Sequence, residues 1–327
     1  YTERKTTDDF NRIASEIIPI LEKDLETNLH LVKSYHGKET HGDMDILIKI
    51  THDFYNKGID IRDYIKNRFN PNEIHNNGGV YSFDYDHFQI DIIPIKESNW
   101  ECSKGFFNYD PTGNLMGKSA HKFGLKYGFE GLVYPFRNFN GRLSRNIKIS
   151  TDNRKIFEFL GYDYDKFING FDTLKEIFDY VIEGKYFDHS IFLMENLNSI
   201  DKKRNKKRKT YQQFLEYIEE NNIYSNYNFK KNKSEYIEYI NDYFPESNLI
   251  ENIEKIKDKD TENKELHSKF NGKLIMSIYP ELKGKELGDM ITNFQKSYED
   301  YRNFALNNTS EEIMEQFSSF YEKEKGN

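Results

Sequence analysis

The amino-acid sequence predicts an α+β fold in two parts, an α+β domain over residues 1–145 and an all-helical domain over 146–327. Three observations lead there. Apolar runs of strand character at 43–50, 80–85 and 88–95 mix with helical patterns in the first part. From Thr151 onward the apolar spacing becomes three to four, as in Ile156-Phe157-Phe159-Leu160 and Leu174-Ile177-Phe178-Val181-Ile182. The chain's 327 residues are enough for two hydrophobic cores.

The elements follow in order. Residues 8–26 read as an amphipathic helix, with Phe10, Ile13, Ile17, Leu21 and Leu25 on one face. A short strand at 29–32 leads into a polar, Gly-containing loop at 34–42, and 43–50 is the second strand. Residues 60–69 form a helix that Asn70-Pro71 ends. After the turn signal Asn76-Asn77-Gly78-Gly79, the runs 80–85 and 88–95 form a hairpin joined at Asp86-His87. Pro94 fits the end of its strand better than its middle. An irregular stretch, 96–114, precedes a helix over 115–127 closed by Gly128 and a strand over 131–136. Further helices are predicted at 191–197, 210–222, 232–243, 247–257, 284–306 and 310–322.

Composition narrows the function classes. Hydrophobic residues make up 36%, and 24 Tyr and 26 Phe supply much of the core volume. The single cysteine, Cys102, excludes an internal disulfide and a cysteine-rich zinc site. It reads as an inert core thiol in a reducing, cytoplasmic setting. No apolar run approaches the roughly 18 residues of a membrane span, so no membrane partner is expected. Tyr1-Thr2-Glu3-Arg4-Lys5 is no signal peptide. A net charge of −8 does not favour nucleic-acid binding over the whole surface and leaves that role to a local basic patch.

The chemistry gathers in Ser34–Ile48. Asp43 and Asp45 stand two apart at the mouth of a strand, so both project from one face. The apolar residues that follow bury the strand, and two charges at its mouth repel unless a cation lies between them. The preceding loop can offer backbone N–H groups to an anion. Two carboxylates beside an anion loop suit a divalent-metal nucleotide site. Asp91, a charge within an apolar strand, is the candidate third carboxylate, whereas Asp84 and Asp86 lie on a more polar strand and read as solvated. His52, His75 and His189 read as surface or internally satisfied residues. The basic run Lys202, Lys203, Arg204, Lys206, Lys207, Arg208, Lys209 is the strongest nucleic-acid patch, with Tyr211 and Phe214 just beyond as base-stacking candidates. Lys230, Lys231 and Lys233 form a weaker one, and Tyr236, Tyr239 and Tyr243 are spaced like core residues.

Ser34 to Leu47 resembles the signature of family X DNA polymerases, within the polymerase β-type nucleotidyltransferase superfamily: Gly-Ser-aromatic-Arg-Arg-Gly-Lys-x-Thr-x-Gly-Asp-x-Asp-apolar. Ser34, Tyr35, Gly37, Lys38, Thr40, Gly42, Asp43 and Asp45 match it. Ile90-Asp91-Ile92 resembles the family's third-carboxylate strand, and Tyr109–Gly113 its Tyr-Phe-Thr-Gly turn. Asn114 and His121 fall where the family has a fingers-like helix, and Asp152–Tyr162 resembles the segment after its palm. The resemblance spans about residues 28 to 165 and departs at two points: Lys33 replaces the glycine before the serine, and the single His36 replaces the arginine pair.

The resemblance implies a mixed-sheet, polymerase β-like palm and a nucleotidyltransferase that uses two magnesium ions, with manganese as the substitute. It implies Asp43 and Asp45 as ligands of both ions, with Asp91 completing the catalytic one. Lys33, Ser34 and His36 would meet the triphosphate, the turn with Tyr109, Thr112 and Gly113 would pack on the sugar, and Gly42 and Asn114 count with them as nucleotide-binding. The expected reaction adds a nucleotide from a nucleoside triphosphate to a nucleic-acid 3′ hydroxyl and releases pyrophosphate. The family's upstream DNA-binding domain has no counterpart in the few residues before the motif. An RNA or tRNA end, a protein hydroxyl or a small molecule therefore stand as alternative acceptors, and a catalytically idle binding module as the rival outside enzymes.

Overall fold

The computed structural model describes residues 2–138 and 140–326. It divides into two units, one of residues 1–135 with 146–249, the other of 136–145 with 250–327.

The first unit is built on a five-stranded mixed sheet. In chain order the strands of its N-terminal part are β1 (Lys5–Thr6), β2 (Leu29–Leu31), β3 (Thr40–His41), β4 (Asp43–Ile50), β5 (Ile74–Asn77), β6 (Val80–Tyr85) and β7 (Phe88–Lys96). The main sheet runs β2-β4-β7-β6-β5, and β1 pairs with β3 as a small ribbon. In the main sheet β4 and β7 lie parallel, and the other neighbours are antiparallel. The β6–β7 hairpin turns at Asp86 and His87, both at positive φ (50° and 58°), as a two-residue loop between right-twisted strands requires.

Alternation along β4 and β7 gives the sheet two different faces. Met44, Ile46, Ile48, Ile90 and Ile92 point to one side, into a core with α1 (Thr7–Leu25). That helix supplies Phe10, Ile13, Ile17 and Leu21, and its first turn is capped by the Thr6 hydroxyl, which accepts the Asp9 N–H. The short α2 (His52–Asn56) and then α3 (Ile61–Phe69) add Phe54, Ile61 and Ile65. On the opposite face Leu47, Ile93 and Ile95 pack with Trp100 of α4 (Trp100–Phe107). Asp43, Asp45 and Asp91 continue this second face beyond the apolar cover.

The predicted helix over 115–127 forms earlier and stops sooner, as α5 (Thr112–Lys122). Gly124, at φ 80°, turns the chain out of the helix, and β8 (Lys126–Gly128) pairs with β9 (Gly131–Arg137). Gly128 thus belongs to a hairpin and not to a helix cap. With β10 (Leu143–Ser150) these strands form a second sheet in the order β10-β9-β8.

Six helices complete the first unit: α6 (Asn153–Phe159), α7 (Tyr164–Asn169), α8 (Leu174–Ile182), α9 (Ser199–Asn205), α10 (Lys209–Glu220) and α11 (Ile237–Tyr243). The division of the chain therefore falls away from the expected boundary at 145/146, with residues 146–249 joining the sheet. Shared aromatic packing is the reason. Tyr109 lies 5.3 Å from Phe167 and 5.2 Å from Phe171, and Phe123 lies 5.3 Å from Phe159. Nearly buried Lys118 on α5 pairs with Asp201 on α9 at 2.8 Å.

The second unit holds α12 (Leu249–Lys269), α13 (Gly272–Ile278), α14 (Gly284–Lys296), α15 (Tyr301–Asn307) and α16 (Ser310–Lys325). Its own core contains Phe270, Ile275, Leu282, Phe294, Ile313 and Phe317. The predicted helix over 284–306 is two helices here. Asp300 breaks the run by accepting the Asn303 N–H as the cap of α15. No helix among the described residues is long and apolar enough to cross a membrane.

Replacing fully buried Phe157, which packs 4.6 Å from Phe167, with alanine is expected to lower unfolding stability by about 3–5 kcal/mol in urea titration. Tyr224→Ala, at an exposed position, should stay within about 0.5 kcal/mol of the parent.

Candidate active site

Three carboxylates come to one sheet face because two strands run parallel in one register. Asp45 of β4 is the partner of Asp91 of β7, and Asp43 is the partner of Gln89. Neighbouring strands lie about 4.8 Å apart, so Asp45 and Asp91 stand side by side on the face that Asp43 also occupies. Gln89 donates to both oxygens of Asp91, at 3.0 and 3.1 Å, and holds that carboxylate in place.

The charges act on one another. Burial pushes the Asp45 carboxyl up to about 8, helped by the nearby charges of Asp43, Asp91 and Asp110, while Lys38 works the other way. Burial also raises Asp91, against hydrogen bonds from Ser82 and Gln89. Lys38 is the cation among these acids. Burial pushes its ammonium down, Asp43, Asp110 and Asp45 push it up, and its Nζ donates to the Ser34 hydroxyl at 3.3 Å.

All three acids line one cavity of about 860 Å³. Lys33, Ser34, Lys38 and Gly42 form its loop side, and Asp110 and Asn114 come from the segment after α4. Arg204, Arg208 and Lys209, around the junction of α9 and α10, form another wall, and Arg4 also reaches in. The cavity lies wholly within the first unit.

Several sequence-predicted residues lie elsewhere. His36 is outside the cavity lining: its Nδ1 sits 2.8 Å from Asp172, before α8, and both side chains are exposed. The loop is pinned there by its backbone, since the N–H groups of His36 and Gly37 donate to the carbonyls of Phe171 and Asp172, each at 2.8 Å. A Cβ on Gly37 would stand 2.8 Å from the Asp172 oxygen, so the close approach requires glycine. Lys38 donates its N–H to the Tyr35 carbonyl at 3.2 Å. Three backbone donors expected to face an anion are thus engaged within the protein, and anion binding falls to side chains.

The Tyr109–Gly113 turn is largely structural. Tyr109, Thr112 and Gly113 are buried and outside the lining; the Tyr109 N–H donates to the Lys33 carbonyl at 2.7 Å and the Thr112 hydroxyl to the Tyr109 carbonyl at 2.6 Å. Asn114 does line the cavity, and its amide donates to Asn205 on α9 at 3.1 Å. His121 lies beside the Lys118–Asp201 pair, 3.9 Å from Asp201. Of the basic run, Lys202, Lys203, Lys206 and Lys207 are exposed and away from the cavity. The proposed stacking residues Tyr211 and Phe214 are core residues: both are fully buried, and the Tyr211 hydroxyl donates to the Phe192 carbonyl at 2.6 Å. Their spacing with Ile218 is that of the buried stripe of α10.

Asp110 was not singled out from the sequence. A lone acid before a proline in an irregular stretch carries no periodic signal. Arg4 is likewise placed by a tertiary contact, its guanidinium donating to the Thr40 carbonyl at 2.8 Å.

Among the described residues, no three His, Cys, Asp or Glu side chains already converge on one metal position. The donor chemistry nonetheless fits a hard divalent cation. Three carboxylates share a sheet face, and burial together with the neighbouring charges pushes Asp45 up, a cost that a cation would relieve. Compared with models of known protein families and with curated protein sequences, the chain matches none.

His41 offers a test of the cavity wall. It is stacked on Phe10 at 4.0 Å, and burial, with Lys38 and Arg4 nearby, pushes it down to about 4. The folded state therefore binds fewer protons than the unfolded one between about pH 4 and 6.5, and this stability is lost as pH falls through that window. Between pH 7 and pH 5 the parent protein should lose on the order of 2 kcal/mol more than His41→Gln, measured by urea denaturation at each pH.

Proposed function

We propose that the chain is a magnesium-dependent nucleotidyltransferase, resembling family X DNA polymerases in its site. The observation that supports this reading best is the Asp45–Asp91 pairing across parallel strands, with Asp43 on the same face and one cavity shared with Lys33, Ser34 and Lys38. Asp43, Asp45 and Asp91 would hold the metal. When bound, magnesium supplies Lewis-acid activation of the attacking hydroxyl and neutralises charge on the phosphoryl oxygens.

The chain's own groups do the rest. Lys33, Ser34 and Lys38 offer the triphosphate a cationic and hydroxylic side, and Asn114 lines the same cavity from α5. Asp91, whose proton affinity is raised, accepts the hydroxyl proton on a carboxylate oxygen. The acceptor oxygen bonds to the α-phosphorus, the bond to the bridging oxygen breaks, and pyrophosphate leaves with that electron pair. The acceptor in this reading is a nucleic-acid 3′ hydroxyl, and the outward lysines Lys202, Lys203, Lys206 and Lys207 offer charge to its backbone.

Asp43→Asn and Asp45→Asn should each lower incorporation of labelled nucleotide by more than about a hundredfold, with far-UV circular dichroism unchanged. Retained incorporation in either variant would overturn the assignment. The same assay on DNA, RNA, tRNA-like and protein acceptors identifies the acceptor class.

A further inference from the structure

We propose that Arg204, Arg208 and Lys209 bind the polyphosphate of the incoming nucleotide and not the backbone of a nucleic-acid acceptor. This inference rests on the nucleotidyltransferase reading above and deepens it.

The first argument is placement. A run of basic residues that reads as one patch in sequence divides in the fold. Half-buried Arg208 and solvent-exposed Arg204 and Lys209 line the cavity that also holds Asp43, Asp45 and Asp91, while Lys202, Lys203, Lys206 and Lys207 lie outside it. An extended strand calls for a stripe of charge along a surface. A compact polyanion calls for charge gathered in a concavity, and about 860 Å³ is in the range that encloses a small ligand.

The second argument is the state of Arg208. Burial pushes its guanidinium down, with Asp110 opposing. The nearest carboxylate in ion-pair range is that of Asp110, 3.7 Å from a guanidinium nitrogen, beyond hydrogen-bond length. A partly desolvated guanidinium has five N–H donors in a planar fork, and two phosphate oxygens match that fork.

The third argument is that this wall is held in position. Asn205, between the two arginines in sequence, is fully buried and receives the Asn114 amide. One turn earlier, Asp201 is held by Lys118 at 2.8 Å. Both anchors come from α5, which follows directly on the Tyr109 turn. The backbone donors of the 34–42 loop are partly engaged with Phe171 and Asp172, so side-chain cations carry the anion binding that the loop lacks.

The test is calorimetric titration of the full chain with inorganic tripolyphosphate at physiological ionic strength, with chelator present. Arg204→Gln and Arg208→Gln should each weaken binding about tenfold or more, and Lys207→Gln by less than about twofold. Arg208→Lys, which keeps the charge and loses the fork, should fall between parent and Arg208→Gln, and it serves if Arg208→Gln does not fold. Unchanged tripolyphosphate affinity in Arg204→Gln and Arg208→Gln overturns the proposal. So does an equal loss in Lys207→Gln, or a loss confined to binding of a single-stranded oligonucleotide. The titration needs no turnover. Tripolyphosphate binding that depends on these arginines, in a chain that incorporates no nucleotide, upholds the polyphosphate site at this wall and removes the catalytic reading. Nucleotide incorporation with arginine-independent tripolyphosphate binding does the reverse.

Discussion

The parallel pairing of β4 with β7 is the constraint on which the rest of the first unit depends. In that register Asp45 faces Asp91, and the same alternation sends Met44, Ile46, Ile90 and Ile92 into the core with α1. A slip of one residue would bury the carboxylates and expose the isoleucines, so hydrophobic burial enforces the register that assembles the acids. The acids themselves oppose it, since Asp45 is pushed up by burial and by its neighbours. Packing on one face of the sheet thus maintains an electrostatically costly arrangement on the other.

Around that centre the chain closes its own cavity. Backbone bonds from His36 and Gly37 to Phe171 and Asp172 tie the loop before β4 to the turn between α7 and α8. The Lys118–Asp201 pair and the Asn114–Asn205 bond tie α9 to α5. Helices that look in sequence like a separate domain are therefore walls of the same cavity. The chain's excess negative charge does not prevent a local basic wall: Arg204, Arg208 and Lys209 line the same concavity as Asp43, Asp45 and Asp91, with Asp110 3.7 Å from Arg208.

Legibility followed the range of the interactions. The strand at 43–50, the 80–85/88–95 hairpin and the first helix were readable because period-two and three-to-four spacing are local. The helix expected over 115–127 ends at Lys122, since Phe123, Leu125 and Tyr127 suit either a helix or an alternating strand and Gly124 decides between them. His36 stands where the motif has its arginine pair, yet its ring faces Asp172, a residue no spacing connects to it. Tyr211 and Phe214 looked like stacking partners of a basic run, and the helical period they share with Ile218 marks them instead as core.

Local spacing is enough to set that Asp43 and Asp45 project together, that a third acid sits in a buried strand, and that an apolar face lies behind them. Those facts follow from alternation along a strand and hold wherever the strand is placed. Contacts between distant segments set that Asp91 stands beside Asp45, that Asp110 joins the acids, and that three of seven basic residues line the cavity, of which Arg208 alone is half-buried, while four lie away from it. The physical reason is that these relations depend on contacts between segments distant in the chain. Burial of side chains such as Tyr109, Phe167 and Trp100 selects those contacts, and no local period encodes which segments will meet.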